Sequence, residues 1–161
     1  MKIKSYSLYR AKSRLAKPIA DSTHKLTEIS FIVVRIKLEN GIEGESYMLC
    51  FQYSPGAIEG ALHDVGQLII DKKVYHTASM FDTINHSNEY FGHEGVNRWA
   101  QSAINIAMWD AWCKVLGQPV WKVLGTYRTR VPVYGSGGWL SYTPDELTDE
   151  VTGYKKRGFR A

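Results

Sequence analysis

Ala100-Gln-Ser-Ala-Ile-Asn-Ile-Ala-Met-Trp109-Asp110-Ala-Trp-Cys-Lys114-Val-Leu-Gly117-Gln-Pro119-Val-Trp-Lys-Val-Leu124-Gly125 is the stretch whose reading decides the fold. Ala100, Ala103, Ile104, Ala107, Met108, Ala111, Trp112 and Val115 recur at i, i+3, i+4 spacing, which predicts a helix from about 97 to 116 with one apolar face. Its alanines permit close packing. Gly117 is placed to stop the helix as a left-handed cap, Pro119 to start a short one, and Gly125 to stop that. Directly after comes Val131-Pro-Val-Tyr134-Gly-Ser136-Gly-Gly138, which reads as a short strand entering a loop of small residues.

Toward the N-terminus, residues 2–9 alternate as a half-buried strand does, while residues 10–28 are polar and irregular and Pro18 opposes continuous pairing. Glu28 to Glu39 is rich in β-branched residues, Asn40-Gly41 reads as a two-residue hairpin turn, and Ile42 to Phe51 returns as its partner. The expectation is a three-stranded antiparallel meander over 2–9, 28–39 and 42–51. Ser54-Pro55 reads as a helix start, with Ile58, Ala61, Leu62, Val65, Leu68 and Ile69 on one face of a helix near 55–71. A second helix is expected near Ser79, where Ser79-Met-Phe-Asp82 resembles a capping box. Toward the C-terminus, Thr143-Pro144-Asp145-Glu146 starts a helix running to about Arg157, Gly158 ends it, and Phe159-Arg160-Ala161 reads as the opening of a further strand. One β/α unit cannot cover its own faces. The organisation expected is therefore an α+β domain over 1–125, followed over 126–161 by the first β/α unit of an incomplete TIM-like barrel.

Composition narrows the function classes. Apolar residues make up 44% of the 161, enough for one globular core. Runs such as Phe31-Ile-Val-Val34 are far shorter than the roughly 20 residues of a membrane span, and Met1-Lys-Ile-Lys-Ser-Tyr has no apolar signal core. Cys50 and Cys113 lie far apart without CxxC spacing, so two reduced thiols and a cytoplasmic location are expected. The net charge of +4 is spread out. Residues 1–28 carry 7 basic and 2 acidic side chains, residues 29–121 carry 6 and 10, and residues 122–161 carry 7 and 4. Nucleic-acid binding calls for charge gathered on one element and interleaved with aromatics, so it is not expected. An anionic small molecule uses these charges more economically.

The order of meander, helices, the Trp109-Asp110 helix, the Pro119 to Gly125 stop and the Val131-Pro-Val-Tyr134 strand resembles the enolase superfamily, in its mandelate racemase/muconate lactonizing branch. The resemblance implies a capping domain over the carboxyl-end face of a (β/α) barrel. It implies Mg²⁺ as cofactor and a carboxylate substrate that loses its α-proton; Lys or His bases with one or two Mg²⁺ ions are the recorded pattern of such sites. It places a Lys-x-Lys motif on the second barrel strand, just past Ala161, and three carboxylate metal ligands on the third to fifth strands. No catalytic or metal residue is therefore expected within 1–161. A homo-oligomer is expected of the complete protein, with no nucleic-acid or membrane partner.

The resemblance also assigns two lid loops. The first is Pro18 to Lys25, where Asp21, Ser22, Thr23, His24 and Lys25 could hydrogen-bond a hydroxylated acid, or simply be solvated chain. The second is Cys50 to Ser54, where Phe51 and Tyr53 could wall the pocket or pack on the first helix. Ser136, at the end of the first barrel strand, could bind the substrate carboxylate. Gly135-Ser-Gly-Gly138 lacks both GxGxxG spacing and a P-loop lysine, and His93-Glu94 is not HExxH. Lys155 and Lys156 read as a solvated helix face, and Asp110 as a structural carboxylate bonded to backbone or arginine. The polar lid favours an acid-sugar dehydratase, with racemase, epimerase or cycloisomerase as alternatives. A non-catalytic capping or assembly module is the reading from another class, and sequence beyond Ala161 separates the two.

Overall fold

The computed structural model describes residues 1–160. Three strands, β1 (Ile3–Ala20), β2 (Lys25–Leu38) and β3 (Glu43–Phe51), form an antiparallel sheet in the order β1-β2-β3. Five helices follow: α1 (Pro55–Leu68), α2 (Thr77–Ser87), α3 (Val96–Leu116), α4 (Val120–Val123) and α5 (Pro144–Lys156), with a 3-10 turn at Glu89–Phe91. The architecture is an α+β capping domain followed by the start of a β/α barrel unit.

Alternation on the central strand builds the core. Ile32, Val34, Ile36 and Leu38 are fully buried on one face of β2. Across from them lie Ile58, Leu62 and Val65 of α1 and Ala100, Ala103, Ile104, Ala107, Met108 and Ala111 of α3. Trp112 and Val115, expected on the same α3 face, are partly buried against this core. Small residues let α3 lie directly on β3. A Cβ built on Gly44 would stand 2.6 Å from both the Cβ and the N of Ala111. Asp110 anchors the crossing, accepting from the Glu45 amide at 2.8 Å and pairing with Lys114 at 2.7 Å. It is a structural carboxylate, with lysine rather than arginine as its cation. Gln101, 2% exposed, is a buried polar group that the apolar pattern did not reveal. Its Nε2 donates to the Phe81 carbonyl and to Asn85, and its Oε1 accepts from Arg98.

Several expectations need correction. β1 runs to Ala20 rather than Tyr9, and β2 begins at Lys25, because Pro18 falls within the register irregularity between Arg14 and Ile19. A bulge there accommodates the missing donor, so proline interrupts the ladder without ending it. The Asn40-Gly41 turn is a three-residue loop. The Leu38 amide donates to the Ile42 carbonyl, the Gly41 amide to the Leu38 carbonyl, and only Gly41 (φ 87°) takes a positive φ. Ser54 occupies the cap position of α1 at φ 41° but makes no side-chain cap bond, and α2 begins at Thr77 without a capping box at Ser79. α5 does carry the full Thr143–Glu146 box.

Residues 131–134 belong to no strand among the described residues, and Val131, Val133 and Tyr134 are exposed. A parallel barrel strand is held by neighbours on both sides, and none stands beside this one. Phe159 stacks edge-on against Tyr154 at 5.4 Å instead of opening a strand, and Ala161 lies outside the described residues. No residue of α5 is buried.

Candidate functional site

The β1–β2 hairpin ends in a tight loop, Asp21 to His24, closed by the Asp21 amide donating to the His24 carbonyl at 3.0 Å. One carboxylate oxygen organises it. Asp21 Oδ1 accepts from the amides of Thr23 (2.7 Å) and His24 (2.6 Å) and from the Thr23 hydroxyl (3.1 Å). The two backbone donors, Thr23 first and then His24, hold the Asp21 carboxyl down at about 2. Thr23 Oγ1 lies 2.7 Å from His24 Nδ1, which is 3.3 Å from Asp21 Oδ1.

The second loop approaches from the end of β3. The Tyr53 amide donates to the Cys50 carbonyl at 2.9 Å, and Phe51 (φ 50°) and Ser54 (φ 41°) occupy the left-handed region. Non-glycine residues pay for that conformation, and such positions gather at ligand-facing loops. Gln52 Nε2 donates to the Lys25 carbonyl at 3.1 Å, tying the second loop to the end of the first, and the Ser30 hydroxyl of β2 donates to the Phe51 carbonyl. Between them lies a concavity of about 230 Å³ lined by Asp21, His24, Leu26, Phe51 and Tyr53. The His24 and Tyr53 rings meet edge to face at 6.1 Å.

Of the residues singled out from sequence, Asp21, His24, Phe51 and Tyr53 meet around this one cavity, with Thr23 behind His24. Ser22 and Lys25 are exposed and do not line it; Lys25 contributes only its carbonyl to the inter-loop tie. Ser136 stands apart, exposed, its carbonyl accepting from the Tyr154 hydroxyl at 2.6 Å. Leu26 and Gln52 were missed, having no motif to mark them. An Asp-x-Thr turn signal was present at Asp21 and would have identified the local clamp.

A further set of contacts joins the stem of the β1–β2 hairpin to the C-terminal segment. The Leu140 amide donates to the Ala20 carbonyl (2.9 Å), the Ser141 hydroxyl donates to the Pro18 carbonyl (2.5 Å), and Lys17 pairs with Glu146. Lys17 chiefly, and then the Thr143 amide, hold the Glu146 carboxyl at about 2. The first β/α loop thus fixes the base of the hairpin whose tip carries His24. Among the described residues no three His, Cys, Asp or Glu side chains group so as to hold a metal ion. These residues do not fit a metal centre. Among the described residues no helix is long and apolar enough to cross a membrane.

An antiparallel meander capped by helices, with two tied loops at one end and the segment leading into α5 docked against the hairpin stem, defines a barrel-capping domain. The family described as mandelate racemase / muconate lactonizing enzyme, N-terminal domain, matches residues 5–125, and the chain belongs to that family of the enolase superfamily. L-talarate/galactarate dehydratase of Salmonella typhimurium is 24% identical over 151 residues, covering 89% of this chain and 38% of the relative. Its crystal structure liganded with Mg and L-lyxarohydroxamate superposes with a TM-score of 0.89 at 25% identity, over 98% of this chain and 42% of that one. 3,6-anhydro-α-L-galactonate cycloisomerase of Streptomyces coelicolor is 28% identical over 145 residues, covering 89% of this chain and 40% of the relative. A racemase from Streptomyces coelicolor with bound magnesium gives a TM-score of 0.92 at 25% identity, over 99% of this chain and 45% of that one. The chain spans about two-fifths of the length of the relatives it matches.

Proposed function

We propose that these residues are the N-terminal part of a Mg²⁺-dependent, cytoplasmic enzyme that removes the α-proton of a hydroxylated carboxylate, and that the reaction is dehydration of an acid sugar. In this reading Asp21 to His24 and Phe51 to Tyr53 form the lid over a barrel mouth, and the complete protein is a homo-oligomer. The observation that carries it is the tied pair of loops around one cavity, polar on the His24 side and aromatic on the other. Aromatic walls exclude water while a few placed polar groups select hydroxyls. The dehydratase and its magnesium-bound structure among the relatives support the reaction class.

The test uses the complete protein with a panel of sugar acids. His24→Ala should lower kcat/KM for the preferred substrate by about five- to hundredfold, since a substrate hydroxyl left without its partner in the closed site costs roughly 1–3 kcal/mol. Wild-type kcat/KM across the panel would overturn the lid reading. A cycloisomerase or racemase is the second reading, favoured by the Streptomyces coelicolor relatives. Product mass separates them, since dehydration loses a water and isomerisation conserves the formula.

A further inference from the structure

We infer that Asp21 and Thr23 are positioning residues that hold His24 as its Nδ1–H tautomer, so that Nε2 presents a lone pair to a substrate hydroxyl. The inference rests on the lid reading above and deepens it. Its basis is hydrogen-bond arithmetic at three atoms. The Thr23 hydroxyl owns one proton, and it donates that proton to Asp21 Oδ1 at 3.1 Å. An ionised carboxylate only accepts, and donation to it is the stronger of the choices open to the hydroxyl. Thr23 Oγ1 can then only accept from His24 Nδ1, 2.7 Å away. The same nitrogen lies 3.3 Å from Asp21 Oδ1. A bare lone pair on Nδ1 would face a carboxylate lone pair at that distance, whereas an N–H there is attracted by both oxygens.

With the proton fixed on Nδ1, Nε2 of the neutral ring is an acceptor. It has no hydrogen-bond partner among the described residues, although His24 lines the cavity. An acceptor at that place matches an O–H of a polyhydroxylated acid. The remaining wall, Leu26, Phe51 and the Tyr53 ring, supplies surface against which a carbon skeleton can lie. Two features keep the arrangement rigid. The Asp21 oxygen is anchored by two backbone amides, and the inter-loop tie from Gln52 stops the hairpin tip from turning away.

The experiment is side-chain ¹⁵N–¹H correlation spectroscopy of His24 in the complete protein, at a pH where titration in the same spectra shows the ring neutral, for wild type, Thr23→Ser and Thr23→Val. Wild type and Thr23→Ser should show a pyrrole-type Nδ1 and a pyridine-type Nε2. Thr23→Val should shift toward the Nε2–H form, with kcat/KM reduced roughly two- to tenfold as the competent fraction shrinks, and Thr23→Ser should restore it. Thr23 is exposed, so all three should unfold at equal thermal midpoints, which the same samples check. An Nε2–H ring in wild type, or an unchanged tautomer in Thr23→Val, overturns the inference while leaving the lid reading intact. A tautomer that shifts as expected without change in kcat/KM, with His24→Ala also fully active, overturns the substrate contact and the lid reading together.

Discussion

Gly44→Ala tests how the capping domain is held together. The new methyl would lie 2.6 Å from two atoms of Ala111 and closer still to the Ala107 carbonyl oxygen. Two of these three atoms are backbone, so no rotamer change relieves them. To bring Ala111 alone to ordinary contact at 3.4 Å, α3 must retreat by about 0.8 Å, and clearing the nearer Ala107 carbonyl oxygen takes more. A gap of that size forfeits a quarter to a half of the dispersion well for contacts made by α3 across it, including those of the buried Ile104 and Met108. The cost expected is about 3 kcal/mol, the upper end for overpacking, and it lowers Tm by roughly 6–12 °C in a chain of this size. Thermal unfolding followed by far-ultraviolet circular dichroism measures it. Gly60→Ala is the control, since its methyl meets nothing within 4 Å in the exposed interior of α1. It should stabilise by about 0.5–1 kcal/mol. Adding Ala111→Gly to Gly44→Ala should restore little, because the backbone contacts remain. A Gly44→Ala protein within 1 °C of wild type would refute the packing argument.

Three further outcomes are expected. The Asp21 and Glu146 carboxyls are lowered from 3.8 and 4.5 to about 2, so their contribution is complete above about pH 4.5 and is lost as pH falls toward 2. Asp21→Asn with Glu146→Gln should flatten the dependence of Tm on pH across that window, and an unchanged slope contradicts the assignment. Burial raises the Cys50 and Cys113 thiols, so native protein at pH 8 should alkylate with iodoacetamide far more slowly than unfolded protein; equal rates measured by mass spectrometry would show that the thiols are accessible. Residues 1–161 alone should give no metal-dependent exchange of a sugar acid's α-proton in D₂O, since the described residues group no metal ligands. Deuterium incorporation seen by proton NMR would overturn that expectation.

Local pattern was sufficient for the elements whose stability is local or periodic. The α3 face from Ala100 to Ala111 was legible because a 3.6-residue apolar period has one reading on a packed helix. Gly117 and the Thr143–Glu146 box were legible because caps are settled within one turn. The β-branched run from Glu28 to Glu39 marked the central strand, and the order of these elements carried the family resemblance. Tertiary structure decided what depends on partners distant in sequence. Pairing with β2 carried β1 through the irregular stretch beyond Arg14 to Ala20, because ladder bonds outweigh weak local propensity. The absence of such partners left 131–134 outside any sheet. The cavity between the two loops belongs to the same class. His24 and Tyr53 come together only because adjacent strand ends place two loops side by side, and Lys17 meets Glu146 across 129 residues of chain. Sequence named the polar loop, but only the fold selected which of its residues face the cavity, since a hairpin tip's direction is set by the register of the strands that carry it.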